Sequence, residues 1–470
     1  MSSQPTLATA KSAIGQNDTA LTEKVSPKEM ISYGLGCGAS GVTQFAVSSF
    51  STFFFTDIAG IGAAAVGLIL MVGRIFDFFA DFTMGAVIDR THSRWGKVRP
   101  WFLWSAIPFS LGLMLLFTMP NFSSETAKVV YAFFTYNFAT VICFTMYMIP
   151  QNAFLAMATS IQFERSKLEI SSGIVIMGFM LVIGFVINPM VEAFGGGKNG
   201  WFGTFAILSL VILIFHLIAF AGTQERVKAP AKEKINFTNF KGELTCLLKN
   251  KYWLMLVART FLVSMNTGMV ALVYYTKYVV MDMGVLGYMF ALTMAPTIVG
   301  LVLSPIVIKK YGKRNVSLGG ALLTVVSYLA IVAIPGSSVL YLGLALSSFA
   351  QAAMTSTQNS MIADTVEYGE WKTGVRTVGF SYSVFNMIQK FGQAVQAAFF
   401  GLLLAIGGYI SVEGAVQPES AIAMIKASFI YIPLISAALQ AIILYFYKLE
   451  KEYPQIIAEL NARKNQAEVQ

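Results

Sequence analysis

Charge is scarce in this 470-residue chain: 12% of its residues are Asp, Glu, Lys or Arg, about half the share of a soluble protein. So few charges cannot dress a globular surface of this length in water. Histidine and cysteine are scarcer still, at 2 and 3 residues. His92 and His216 lie far apart, and Cys37, Cys143 and Cys246 form no CxxC pair. Neither a metal centre nor a disulfide is expected from that spacing. The first 27 residues are polar and hold no apolar h-region, which argues against a cleavable signal peptide and reads as a disordered cytosolic tail. No connection is long enough to house the active site of a membrane enzyme, and nothing resembles the filter loop of a channel.

Apolar sequence fills the gap. Hydrophobic residues make up 56% of the chain, and the mean hydropathy is +0.65. A spanning helix needs roughly 20 apolar residues. Twelve segments qualify: 29–56, 62–88, 100–119, 128–157, 168–190, 202–222, 252–276, 286–308, 316–335, 337–362, 377–407 and 421–447. The expected fold class is therefore an all-α membrane protein of twelve transmembrane helices.

The net charge of +9 sits in short connections between these segments, not in a nucleic-acid-binding face. "DRTHSRWGKVR", "TQERVKAPAKEKINFTNFKGELTCLLKNK" and "KKYGKR" are basic; "AGIG", "PNFSSETAK" and "EAFGGGKNG" hold one Lys or none each. This alternation predicts that the basic connections and both termini are cytoplasmic, in a multi-pass protein of the inner membrane. The long connection divides the chain into an N-terminal tail 1–27, a six-helix half 28–222, a basic linker 223–251, a second half 252–447 and a cytoplasmic C-tail 448–470. "RWGKVR" after the second segment and "KYGKRN" after the eighth occupy matching places in the two halves. Two parallel six-helix halves with substrate held at the midplane are the major facilitator pattern.

Polar groups inside the apolar segments are the candidate site. "GRIFDFFAD" carries Asp77 and Asp81 one helical turn apart on one face. A charge at the centre of a spanning helix costs about 2.5–3.5 kcal/mol on insertion scales, so two on one stripe call for a reason. One reason is an ion pair with Arg74 or with a base on another helix. The other is a cation or proton site, because adjacent carboxylates can share a proton or surround a cation with oxygen. Lys390, in "SVFNMIQKFGQAV", needs a counter-charge, and Asp77 and Asp81 are the expected partners; it is also a candidate for an anionic part of the substrate. Gln44, Thr145, Gln151, Asn152, Gln358, Asn359 and Asn386 add uncharged polarity in both halves, consistent with a hydrophilic cavity. "ADTVEYGEWKTGVR" reads as a loop whose Asp364, Glu367 and Glu370 can pair with Arg165 of "QFERSK" and close the cytoplasmic side. "GLGCGASG" lacks a preceding strand and is not a nucleotide loop.

Several stretches resemble the glycoside–pentoside–hexuronide:cation symporters, the melibiose permease branch of the major facilitator superfamily. They are "YGLG", "FFFTDIAGI", "GRIFDFFAD" with "MGAVID" and "SRWGKVRPW", "ERSKLE" and "ADTVEYGEWKTGVR", within about residues 28 to 450. The resemblance implies that Asp77 and Asp81 take the coupling cation with help from Thr145. It implies that Lys390 is the family's eleventh-helix lysine, and that Arg165, Asp364, Glu367, Glu370 and Arg376 form the cytoplasmic charged network. Ala80 stands where melibiose permease has an asparagine, which removes one oxygen ligand and favours H+ over Na+. The galactoside-holding acids are replaced by Gly41 and Met148, a sugar-binding arginine by Gly173, and a nearby aromatic by Asn152. A sugar acid or its glycoside thus fits better than a simple galactoside. The expected function is secondary active import of a sugar or glycoside by symport with H+ or Na+, by a monomer in the lipid bilayer, without a cofactor. Lys390, Asn386, Asn152, Gln44 and Gln358 are the expected substrate contacts. A lysophospholipid-type carrier on the same fold is the alternative.

Overall fold

The computed structural model describes residues 24–227, 240–374 and 377–468. Nine of its helices are long and apolar enough to cross a membrane, counted among the described residues. They are α2 (Ala63–Arg90), α4 (Glu125–Ala158), α5 (Gln162–Ala193), α6 (Gly197–Gly222), α7 (Lys251–Val280), α8 (Met283–Tyr311), α9 (Lys313–Ala333), α10 (Ser337–Thr373) and α12 (Glu419–Phe446). Three more rods lie among them. The first, α1 (Pro27–Phe53), is diluted by small and hydroxylated residues. The second, α3, comes in two pieces, Arg99–Trp104 and Ala106–Leu116. The third, α11 (Val378–Ile406), carries Lys390 and three glutamines. A final helix, α13, spans Leu449–Glu468.

Local chemistry explains most boundaries. Ser26 caps α1 by accepting the Glu29 amide at 3.2 Å, with Pro27 as its first helical residue. The expected continuous helix over 100–119 is broken at Ser105, because Pro108 has no N–H for the Trp104 carbonyl and its ring crowds that carbonyl. "QFERSK" and "ADTVEYGEWKT" are not loops. Arg165 lies in the first turn of α5, and α10 continues past 362 to Thr373, where Gly374 takes a left-handed φ of +73° and stops it. Nothing between Ile362 and Thr373 is a proline, so the helix has no cause to end earlier.

The basic repeat of the sequence is also a structural repeat. Gly96 and Gly312 both have positive φ, +108° and +81°. An added Cβ would lie 2.2 Å from Glu225 at Gly96 and 2.5 Å from Glu450 at Gly312. Each glutamate closes the start of the following helix. Glu225 accepts the amides of Lys97, Val98 and Arg99 at 2.9, 2.7 and 2.5 Å. Glu450 accepts those of Lys313 and Arg314 at 2.8 and 3.0 Å. The helix dipole favours an anion at both places. The neighbouring arginines donate to the ends of α6 and α12: Arg99 to the Phe220 carbonyl at 2.9 Å and Arg314 to the Leu444 carbonyl at 3.0 Å.

This end of the bundle is called the basic end below, and the opposite one the far end. The residues of the expected C-tail build α13, which packs on the basic end. Trp371 donates to Glu459 at 2.7 Å, Tyr252 to Glu452 at 2.9 Å, and Tyr453 to Glu367. Burial, and then its bond to Glu367, pushes the Tyr453 phenol well above its ordinary value. The bond from Trp371 holds the Glu459 carboxyl below the usual glutamate value. The two sets of six meet through α1 with α7, α2 with α11, and α5 with α8. At the far end Gly67 and Gly401 let α2 and α11 touch backbone to backbone; a Cβ on Gly401 would sit 2.8 Å from the Gly67 Cα.

Candidate ion and substrate site

Asp77 and Asp81 lie near mid-depth on α2, and the fold brings both to the same two partners. Thr145 follows a π-turn in α4, Phe138–Cys143, and its buried hydroxyl sits 3.2 Å from Asp77 Oδ1 and 3.3 Å from Asp81 Oδ1. Lys390 reaches across from α11. Its Nζ is 3.1 Å from Asp77 Oδ2 and hydrogen-bonded to Asp81 Oδ2. Arg74 makes no ion pair with any described residue, so the lysine and not the arginine answers the acids. Two carboxylates and one ammonium leave one negative charge in an apolar medium, which a single proton or monovalent cation would balance.

A recess of about 240 Å³ opens beside this cluster, on its far-end side, and both halves border it. Of the expected substrate contacts, Gln44 borders it and donates to Ser48 at 3.3 Å. The other amides on its wall are Gln389, Gln393, Gln396 and Asn266, with Arg74 beside them. Sequence reasoning missed this glutamine stripe, although positions 389, 393 and 396 follow the i, i+4, i+7 spacing of one helix face. The remaining contacts are elsewhere. Gln358 donates to Thr260 at 3.0 Å and pins α10 to α7. Asn152 and Asn386 are exposed on the basic side of the acid cluster, as is Ser383. Polar side chains open at membrane depth line water, not lipid. Lys390 is committed to the two acids, and does not face the recess as a free cation.

The charged network at the basic end does not pair in the way the sequence suggested. Arg165 donates to the Thr159 carbonyl at 2.7 Å and the Ala156 carbonyl at 3.5 Å, within its own half. Asp364 is held by Lys313 at 2.8 and 2.7 Å, and Glu367 by Tyr453. Glu370 is engaged as well, and Arg376 lies outside the described residues. Asp364 and Glu367 face their own half because α10 runs straight past 362 and carries them onto α9 and α13.

Cross-half pairing is instead concentrated at the far end, where only the motif containing Asp57 had been noticed. Asp57 is 1% exposed. It accepts from Lys277 at 2.7 Å, from Tyr278, from Tyr409 at 2.5 Å and from Thr56 at 2.9 Å. Thr56 also bonds the Tyr274 hydroxyl at 2.7 Å. Asp57 and Lys277 each lie in a π-turn, Phe54–Ile58 and Thr276–Val280, at matching places in α1 and α7; such turns cluster at functional sites. No charge pattern in the sequence ties positions 57, 277 and 409 together.

Known proteins agree with this architecture. The family profile described as MFS/sugar transport protein matches residues 32–451. The isoprimeverose transporter of Lactiplantibacillus pentosus is 34% identical over 459 residues, covering 93% of this chain and 92% of that protein. The glucuronide carrier protein homolog of Escherichia coli (strain K12) is 31% identical over 459 residues, covering 94% of this chain and 97% of its own length. Among solved structures, a D-xylose-proton symporter superposes with a TM-score of 0.62 at 14% identity, covering 89% of this chain and 97% of that one. That likeness concerns the fold alone. The chain is a membrane transporter and not an enzyme: it belongs to the glycoside–pentoside–hexuronide:cation symporters of the MFS sugar transport family.

Proposed function

We propose that the protein is a secondary carrier that imports a sugar or glycoside together with a cation across the inner membrane, with its basic end in the cytoplasm. The observation that carries the reading is the cross-half cluster of Asp77, Asp81, Thr145 and Lys390 beside a polar recess. The relatives named above are, by their names, a transporter of isoprimeverose and a homolog of a glucuronide carrier. The basic connections support the orientation through the positive-inside rule.

In the proposed cycle the lysine holds both acids while the ion site is empty. A cation arriving at Asp77 or Asp81 displaces the ammonium and removes the excess negative charge. A proton suits this site better than Na+. Three protein oxygens face one another, two carboxylate and one hydroxyl, and Ala80 adds none, whereas a bare metal cation wants a fuller oxygen shell. Substrate enters the adjoining recess, and the halves rock about it. The far end is the closed one here and the polar surface near Asn152 and Asn386 the open one, which corresponds to the cytoplasm-facing stage. A lipid carrier would want an apolar central path. An apolar groove of about 860 Å³ between α8 and α10 is walled by outward-facing residues such as Tyr288 and Val299.

Uptake of radiolabelled sugar into inverted-free, right-side-out vesicles under an imposed pH or Na+ gradient tests the reading. Asp77→Asn should abolish accumulation while leaving exchange of sugar across the membrane. Equal accumulation by the variant and the unmodified protein would sink the assigned role, and a response to Na+ alone would replace the proton.

A further inference from the structure

Arg259 is among the largest fully buried side chains of the molecule, at 1% exposure. It sits on α7 about two turns inward from Lys251 and the basic end. Its Nη2 donates to the Met354 carbonyl of α10 at 2.8 Å, while Nε and Nη1 have no partner among the described residues. The first acid of α10, Asp364, lies about three turns beyond Met354 and is held by Lys313 at 2.8 and 2.7 Å. Tyr447, just past the end of α12, is 2% exposed and within electrostatic reach of Arg259, and its hydroxyl is also unpartnered. It packs in an apolar cluster with Leu256, Met354 and Leu444. Gln440, one turn from Ser436 on α12, has an unpartnered Oε1; Ser436 itself donates to the Leu262 carbonyl of α7 at 2.9 Å. A guanidinium keeps its proton in a protein. A charge removed from water with no opposite charge beside it is among the costliest states in a fold. The amide oxygen of Gln440 can accept an N–H but brings no charge.

We propose that the C-terminal half binds a chloride ion in its core, held by Nε and Nη1 of Arg259 and by the Tyr447 hydroxyl. All three are donors, so an anion satisfies them together. One negative charge cancels the one positive charge. The tight burial of both side chains calls for a compact ion without a chain of its own, a halide rather than an organic acid. The helices that carry the site, α7, α10 and α12, belong to one half. The ion therefore stays in place when the halves rock, and it is separate from the cation that meets Asp77 and Asp81 on α2.

The test combines equilibrium binding of radioactive chloride with thermal unfolding of the full-length protein. The protein is solubilised and purified in gluconate, then returned to chloride, bromide, gluconate or sulfate at equal ionic strength. The unmodified protein should bind a single chloride per chain. Its melting temperature should rise saturably with chloride or bromide, and not with gluconate or sulfate. Arg259→Met removes the charge and keeps an unbranched chain, and should lose both the bound chloride and the response. Tyr447→Phe should raise the half-saturating chloride concentration about 10-fold, the worth of one hydrogen bond to a charge. If the unmodified protein binds no chloride and its melting temperature ignores the anion, water answers Arg259 and the proposal is overturned. An equal response in Arg259→Met also overturns it, by placing the effect elsewhere. Should Arg259→Met not fold, Tyr447→Phe carries the test: a raised half-saturation supports the site, and an unchanged one overturns it.

Discussion

Replacing Asp57 by asparagine should open the far end. The carboxylate is buried in the π-turn that follows α1 and accepts from α7 and from Tyr409, three residues past the end of α11. Its bonds exist only while these helices are together, so their loss falls on the far-end-closed state alone. An asparagine has one acceptor oxygen, so it can keep Tyr278 on the Oδ1 side or Tyr409 on the Oδ2 side, and not both. The charge facing Lys277 disappears as well. Breaking a fully buried pair costs about 3–5 kcal/mol, and one charge-assisted bond is worth about 1.5–3. Lys277 keeps 24% of its side chain exposed, which moves the expectation towards the lower range, about 2 kcal/mol or roughly 30-fold in the closed-to-open ratio. The assay is labelling of Gln44→Cys by a membrane-impermeant maleimide added outside intact cells. Cys246→Ser provides the background; Cys37 and Cys143 are buried and stay in place. The labelling rate should rise by about the same factor, since it follows the open population. Adding Lys277→Met should recover part of the effect by removing the stranded charge. An unchanged rate in a well-folded Asp57→Asn protein would refute the argument that this cluster holds the far end shut.

The repeat at the basic end gives a paired test. Glu225→Ala strands three backbone amides and Glu450→Ala two, so both should lower the melting temperature of the purified protein, the first more, with losses of about 1–3 kcal/mol per unsatisfied group as the upper scale. A neutral outcome for either would mean that water replaces the carboxylate at no cost. The docking of α13 should weaken in acid. Glu459 has its carboxyl held low by Trp371, so its contribution is complete above the usual glutamate value of 4.5 and is lost as pH falls through the depressed folded value. Protease cleavage within α13 should therefore accelerate below about pH 4.5, and Glu459→Gln should remove that step; a pH-independent rate in the unmodified protein would contradict it.

The sequence displayed the acids of the site, because two carboxylates in an apolar run call either for an ion pair or for a cation site. It displayed Lys390 for the same reason, and the basic repeat because the order basic, aromatic, Gly, Lys recurs after the second and the eighth segments. It hid what depends on helix ends. Asp364 and Glu367 read as loop residues within reach of Arg165, yet the absence of a breaker before Gly374 keeps them helical and turns them towards Lys313 and Tyr453. It also hid what depends on long-range assembly. Asp57, Lys277 and Tyr409 are ordinary residues in their own segments, and only the packing of α1 against α7 and α11 makes them one cluster. Gln358 shows the opposite error: a polar residue at membrane depth that serves a helix contact and not a cavity.

The position of Lys390 gives the proposed coupling a physical route. Its bonds to Asp77 and Asp81 join α11 to α2, so they are cross-half bonds as well as charge compensation. A cation that takes the acids from the lysine therefore does two things at once: it neutralises the cluster and cuts the tie between the halves at mid-depth. By linkage, whatever geometry stretches that tie must also favour the cation. The glutamate closures at Glu225 and Glu450 lie wholly within their own halves and do not change when the halves move. Ion binding is then read out at the mid-depth charged tie between the halves, while the far-end cluster around Asp57 sets how much of that binding energy is needed before the carrier turns.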